Sequence, residues 1–345
     1  MAIEKNSFGK TKDGKDVDLY ILRNGGFSAE IITYGAAVRC MNVPVAGGTR
    51  DVVLGFDDIN GYETNMGCHG AIVGRVANRV ANACYEMNGI TYHMDINSGI
   101  HCLHGGFIGF DRQVWTAEEE QDALILTLLD KEGTAAGLPG NLEVKVKYTL
   151  QSGELGIEYT AVCDKDTPIN LTNHSYFNLA GHDAGSIEEH KLQIFSHKIT
   201  PVDEKLIPTG ELLDVTNTPF DLRELTVIAP GLNNNSCPQI AFGGGYDHNW
   251  VLSNEPHRAL AIAAVLEYDG LSMACLTTKP GIQFYSGNMM QGETGKGGAI
   301  YSKRTGLCLE TQYFPNSVNI PQFPTPILRT GEVYNHKTVY RFMEV

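Results

Sequence analysis

Apolar and polar residues alternate along much of this chain with a period of two, the signature of β-strands lying on a core. The runs "LILTLLD", "LEVKVKYTL" and "YRFMEV" carry it, and "AEIITYGAAVRCMNVP" and "RDVVLGF" also read as strands. Several runs meet at two-residue turns: Asn88-Gly89 in "YEMNGITYHM", Ser152-Gly153 in "YTLQSGELGIEYTAV" and Asp269-Gly270 in "LEYDGLSMACLTT". Asn-Gly and Asp-Gly accept the positive φ that tight hairpins demand, so these stretches predict antiparallel hairpins. Helical periodicity is scarce, and "GRVANRVANA" and "DLRELTVI" predict a turn or two each. There are 38 glycines and 14 prolines, with strands from end to end and no linker or internal repeat. The pattern predicts an all-β fold, one large antiparallel sandwich domain over residues 1–345 with few short helices.

One stretch breaks the pattern. In "NLTNHSYFNL", Asn170, Thr172, His174, Tyr176 and Asn178 share one face of a strand, and Leu171, Phe177 and Leu179 share the other. Its polar face shows amides, hydroxyls and an imidazole where a surface strand usually shows Lys, Glu or Arg. Such groups bind by hydrogen bonds.

Other polar residues fall where an apolar one is expected. In "GLCLETQYF", Cys308, Glu310 and Gln312 alternate with Leu307 and Leu309, which sets a carboxylate in an apolar, aromatic-flanked strand. "PGIQFYSGN" sets Gln283 and Tyr285 opposite Ile282 and Phe284, and "GGGYDHNWVL" presents Asp247 before an aromatic strand. "IHCLHGG" ends in His104 and two glycines, which permit close approach of a ligand or of backbone. "GRVANRV" spaces Arg75 and Arg79 one helical turn apart, with Asn78 beside the second. Taken singly, each has a structural reading: a histidine bonded to a carbonyl, a glutamate paired with an arginine, an aspartate closing a turn, arginines on surface acids. Taken together, Asn78, Arg79, His104, His174, Tyr176, Asp247, Gln283 and Glu310 suit a neutral polyhydroxylated ligand such as a sugar. A carboxylate and an imidazole supply one general base and one general acid.

Charge and cysteine content narrow the field. With 26 basic against 40 acidic residues, the formal net charge is -14, which disfavours nucleic acid and anionic lipid surfaces as partners. No apolar run is long enough to span a bilayer, and the N-terminal stretch shows no apolar signal-peptide core. The eight cysteines are scattered singly, without a C-x-x-C pair, and read as reduced thiols of a cytoplasmic protein. A metal is not expected, because His104, His174 and Glu310 lie far apart without the close pair usual in zinc sites. "GETGKGG" lacks phosphate-loop spacing and reads as a flexible turn.

These residues also carry a resemblance. "GRVANR", "LHGG", "NLTNHSYFNL", "PVDEKLIPTGE", "DHNW", "PGIQFYSGN" and "CLETQ" with "PNSVN" stand in the order and at roughly the separations found in the galactose mutarotases, or aldose 1-epimerases. The resemblance implies a single-domain β-supersandwich that interconverts α and β anomers of hexoses such as galactose and glucose without a cofactor. It implies that Glu310 is the general base at the C1 hydroxyl and His174 the general acid at the ring oxygen. His104, Asn78 and Arg79 then orient the sugar, and Asp247 and Gln283 bind its hydroxyls. The expected assembly is a monomer or a homodimer. Two other readings share the fold: an epimerase of hexose 6-phosphates, which needs a further basic cluster for the phosphate, and a sugar sensor without chemistry, which has no use for both Glu310 and His174.

Overall fold

A computed structural model describes residues 1–345. The fold is all-β, and three antiparallel sheets account for its bulk. The first is a five-stranded meander of Ala2–Lys10, Asp16–Asn24, Phe27–Ile32, Ala37–Val45 and Gly48–Asp51. The second has nine strands. Four from one part of the chain (Thr116–Glu120, Ala123–Asp130, Leu142–Gln151 and Glu154–Cys163) lie in order on one side of Tyr334–Glu344. Leu271–Thr277, Ala261–Tyr268, Lys191–Ile194 and Thr226–Val227 lie on its other side. The third sheet holds Leu213–Asp214, Lys198–Thr200, Asp247–Val251, Gly281–Tyr285 and Cys308–Gln312, in that spatial order.

One apolar core takes side chains from all three sheets, among them Leu22 and Ile31, Val144 and Ile157, and Trp250 and Phe284. Its polar edges are tied across sheets. The Tyr148 hydroxyl donates to Ala36 O at 2.7 Å, and that of Tyr340 donates to Leu309 O at 2.9 Å. Leaving either carbonyl unpaired in the core would cost about 1–3 kcal/mol.

The three hairpins form at the expected turns. Asn88-Gly89, Ser152-Gly153 and Asp269-Gly270 each hold two consecutive positive φ angles, the geometry that matches the twist of flanking strands. The helix expectations fail. Asn78, Asn82 and Ala83 in "GRVANRVANA" take positive φ, which interrupts a right-handed helix, and Arg79–Val80 pairs instead with Cys102–Leu103. In "DLRELTVI" the β-branched Thr226 and Val227 form an edge strand on Lys191–Leu192. The α-helices lie elsewhere, at Ile59–Thr64, Ala229–Leu232 and Pro238–Gly243. The first is capped by the Asp58 carboxylate, and the last opens on proline and closes on Gly244 at φ +63°.

Two further expectations change. "AEIITYGAAVRCMNVP" is two strands, broken where Gly35 and Ala36 take positive φ. "GETGKGG" is anchored rather than flexible: Lys296 is buried, and its ammonium bonds Asp51 and the carbonyls of Arg39 and Val53.

Candidate active site

The site is built on the edge strand Cys308–Gln312. Gln283 on the next strand lies opposite Glu310, and Asn249 on the strand after that lies opposite Gln283. Strand alternation therefore lines Glu310, Gln283 and Asn249 across the sheet, with Cys308 and Gln312 beside Glu310 on the same face. All five are buried. A row of polar groups without solvent needs partners, and most are supplied internally. Gln312 Nε2 donates to Gln283 Oε1 at 3.0 Å and lies 3.2 Å from Asn249 Oδ1. Gln283 Nε2 in turn donates to Asp247 Oδ1 at 2.7 Å. Arg79 NH1 stands 3.7 Å from the other oxygen of Asp247. Asp247 therefore sits on a strand facing a cation; it does not close a turn.

Three buried atoms of this network lack a partner, Asn249 Nδ2, Gln312 Oε1 and Glu310 Oε2, and of their residues only Glu310 can carry a charge. It is 2% exposed, and its Oε2 has no hydrogen-bond partner in the protein, while Oε1 lies 3.6 Å from His174 Nε2. Burial, followed by repulsion from Asp247, raises its pKa well above the usual carboxylate range, and Arg79 pulls the other way. Burial also pulls His174 down to about 4.

His174 projects from a segment that is a strand only at Thr172–Asn173, paired with Ile72–Val73. Its backbone is held on both sides, donating to Ala71 O at 2.9 Å and accepting from Gly70 N–H at 2.9 Å. The polar stripe of "NLTNHSYFNL" is buried throughout and divides its duties. Asn170 and Asn178 are spent on backbone: the amide of Asn170 bonds Tyr313, and that of Asn178 bonds Gly185 and Thr305. His174 and Tyr176 remain at the site. The Tyr176 ring is stacked on His69 at 4.4 Å between centroids and lies 5.1 Å from the His174 ring.

His104 completes the cluster, its ring edge-on to His174 at 5.4 Å. Asn78 and His104 are locked reciprocally. His104 N–H donates to Asn78 O, and Asn78 N–H donates to His104 Nδ1, both at 3.1 Å. Burial, then the neighbouring His174 and Arg79, hold the His104 pKa well below its ordinary value. A neutral ring whose Nδ1 accepts a hydrogen bond carries its proton on Nε2 and is a donor there. Asn78 takes φ +62° and turns its side-chain oxygen onto Arg79 N–H at 2.8 Å, which fixes where that arginine begins. The glycines after His104 are needed for backbone: a Cβ on Gly105 would lie 2.2 Å from Gly74 O.

The structure thus brings Asn78, Arg79, His104, His174, Tyr176, Asp247, Gln283 and Glu310 into one cluster. Arg75 points elsewhere, into the core, where Asp130 and the carbonyls of Pro139, Asp130 and Gly140 surround it. Sequence reasoning left out Cys308, whose Sγ lies 3.5 Å from His174 Nδ1, and Gln312. The alternation that singled out Glu310 marks both. Cys308, His174 and Glu310 offer one donor atom each within 4.8 Å of one another, a three-residue set that a cation can share. The thiol takes a place that the spacing of His104, His174 and Glu310 in sequence does not reveal. Burial raises the Cys308 thiol well above its ordinary pKa, and a neutral thiol is a poor metal ligand.

Fold and site together define a class: an antiparallel β-sandwich enzyme of carbohydrate chemistry, with a carboxyl–imidazole pair inside a ring of amides. The chain belongs to the aldose 1-epimerase family, whose model matches residues 18–341. It is 40% identical to the galactose mutarotase of Mus musculus, with 99% of each chain covered. It is 36% identical to the aldose 1-epimerase of Escherichia coli, with 96% of each covered. Among solved structures, galactose 1-epimerase from Lactobacillus acidophilus superposes with a TM-score of 0.85 at 26% identity, over 99% of both chains. An aldose epimerase homologue from C. elegans superposes with a TM-score of 0.86 at 29% identity, over 94% of this chain and 98% of that one.

Proposed function

We propose that this chain is an aldose 1-epimerase acting on hexoses such as galactose and glucose, with Glu310 and His174 as its two proton carriers. The observation that carries the assignment is the buried pair itself, 3.6 Å apart, with one carboxylate oxygen left unbonded by the protein. Opening a hemiacetal ring moves one proton off the anomeric hydroxyl and another onto the ring oxygen. Glu310 takes the first and His174 gives the second. Rotation about C1–C2 and reclosure with the roles reversed yields the other anomer. His104, donating from Nε2, together with Asn78, Arg79, Tyr176, Asp247 and Gln283, orients the sugar.

The electrostatics of the pair favour this step. Before opening, the working pair is carboxylate and imidazolium; after opening, it is carboxylic acid and neutral imidazole. Burial raises the pKa of Glu310 and lowers that of His174, so both shifts favour the second state. The site therefore favours the proton arrangement that accompanies the open-chain aldehyde, and the same shifts make the carboxylate–imidazolium pair the minor form before opening.

A hexose 6-phosphate fits less well. Of the two arginines in "GRVANR", Arg75 is committed to Asp130 and Arg79 faces Asp247, so neither is free for a phosphate. The shared core supports treating residues 1–345 as one domain. All eight cysteines are free, which suits a reducing compartment such as the cytoplasm, and no helix is long and apolar enough to cross a membrane.

The test is polarimetric. Fresh α-D-glucose or α-D-galactose should reach anomeric equilibrium faster with protein than without. Glu310→Gln should slow turnover by ~10²-fold or more, the scale of positioned acid–base catalysis. Unchanged mutarotation on adding the wild-type protein would overturn the activity, and a Glu310→Gln variant with full turnover would overturn the assignment.

A further inference from the structure

The segment carrying His174 and the strand carrying Glu310 run antiparallel, side by side, yet they are not a ladder. At one end Phe177 and Leu307 exchange backbone hydrogen bonds at 2.7 and 2.9 Å. At the other, the Asn170 amide imitates a backbone pair, accepting from Tyr313 N–H at 2.8 Å and reaching Tyr313 O at 3.4 Å. Between these stitches Thr172–Asn173 pairs away from the site, with Ile72–Val73, and Cys308–Gln312 pairs on its other edge with Gly281–Tyr285. The two catalytic side chains meet in this unlaced span.

One side chain crosses the gap from the core. Lys279 is 0% exposed, and its Nζ bonds Leu171 O on the His174 segment and lies 3.4 Å from Thr311 O, next to Glu310. The same nitrogen sits 3.9 Å from the centre of the Tyr159 ring, and no carboxylate offsets its burial. Burial without a counter-ion pulls its pKa well below the usual lysine value. A buried, unpaired lysine is costly, and an apolar residue of that length would fill the space more cheaply. Two N–H groups suffice for both carbonyls, so the neutral amine also bridges them, more weakly than the ammonium.

We propose that Lys279 is a positioning residue for the anomerisation: a strut that sets the spacing between the His174 segment and the Glu310 strand where no backbone bonds do. It rests on the assignment of those two residues as proton carriers, and it acts only through them. Without the strut the two lines of backbone are free to part, and proton transfer at both ends of one sugar depends on that separation.

The test uses Lys279→Met, which keeps length and volume, and Lys279→Gln, which keeps one N–H donor group. Each is compared with wild type for thermal melting, kcat, KM and binding of 1-deoxyglucose, which lacks the anomeric hydroxyl. Lys279→Met should fold, bind the analogue within about twofold of wild type and hold KM, while kcat falls about tenfold or more. Lys279→Gln should recover part of that loss. A crystal structure of Lys279→Met should show His174 and Glu310 further apart than 3.6 Å. Wild-type kcat in Lys279→Met would overturn the proposal. So would parallel loss of kcat, KM and analogue binding, or failure of both variants to fold, since either marks a purely structural lysine. If Glu310→Gln itself keeps full turnover, the failure belongs to the underlying assignment.

Discussion

Asn78 N–H donates to His104 Nδ1 at 3.1 Å, and this one bond makes the two site histidines chemically different. His104 is fixed as a neutral donor at Nε2, whereas His174 has Cys308 Sγ at one nitrogen and Glu310 at the other. His174→Asn should abolish proton transfer at the ring oxygen, so kcat collapses while KM moves little. His104→Gln should raise KM as well as lower kcat, because it removes a bond made in ground and transition states alike. Initial-rate kinetics on both variants separate the roles, and the reverse pattern would exchange them.

The pH profile follows from the same pair. With Glu310 and His174 as the proposed proton carriers, activity needs one proton shared between them and should be lost when a second is added or the last is removed. Adding the second means charging His174, whose pKa is pulled down to about 4; the acid limb should lie well below the ordinary histidine value of about 6.5. The alkaline limb belongs to the last proton on the pair, held by a carboxyl raised well above its usual range. The acid limb should vanish from the residual activity of His174→Asn and survive in His104→Gln. An acid limb at the ordinary histidine value would contradict the burial argument.

Arg75 and Arg79, four residues apart, should fail in different ways. Arg75 is fully buried against Asp130, and removing one partner of such a pair costs about 3–5 kcal/mol. Arg75→Met should therefore lower the urea midpoint sharply. Arg79→Met should leave the midpoint near wild type and reduce kcat/KM. Equal stability losses in both would mean that Arg79 is structural too.

Acid should destabilise the fold through histidines buried in the neutral form. His190 accepts Leu179 N–H at 3.0 Å, stacks on Tyr268, and has its pKa pulled down to about 4 by burial. The unfolded chain binds a proton there near the ordinary value of about 6.5, so the neutral ring stabilises the fold above that pH. This contribution, roughly 3 kcal/mol, is lost as pH falls from about 6.5 towards the folded value. His69 and His248, pulled to about 3, act in the same direction. Urea midpoints between pH 7.5 and 4.5 should fall steadily in wild type and less steeply in His190→Gln, which keeps an acceptor for Leu179.

Chelation should leave turnover intact. The three donors His174, Cys308 and Glu310 lie close enough for a cation, but the thiol is held neutral, and the proposed mechanism uses the carboxylate and imidazole as proton carriers. Dialysis against a strong chelator followed by polarimetry tests this, and activity restored only by added metal would contradict it.

What the sequence made legible was local or periodic. The hairpin turns are written in adjacent residues, and polar residues on a buried strand face stand out wherever alternation is regular, as at Glu310 and Gln283. The helix reading of "GRVANRVANA" failed because Asn78 and Asn82 take left-handed backbone that spacing does not reveal, and that of "DLRELTVI" because Thr226 and Val227 pair with a distant strand. Asn170 and Asn178 resembled ligands because an amide that binds sugar and an amide that binds backbone look alike in sequence. Lys279 was invisible: a lysine before proline suggests a turn, and its partners are carbonyls 108 and 32 residues away.

The place of Tyr334–Glu344 between Glu154–Cys163 and Leu271–Thr277 has a consequence for biosynthesis. As the chain leaves the ribosome, each half of the nine-stranded sheet emerges with one bare edge, and the strand that joins them comes after both. Until Tyr334–Glu344 emerges, those edges offer unpaired N–H and C=O groups to any neighbouring nascent chain. The same strand carries Tyr340, whose hydroxyl holds Leu309 beside Glu310, so closing the sheet and seating the Glu310 strand are one event.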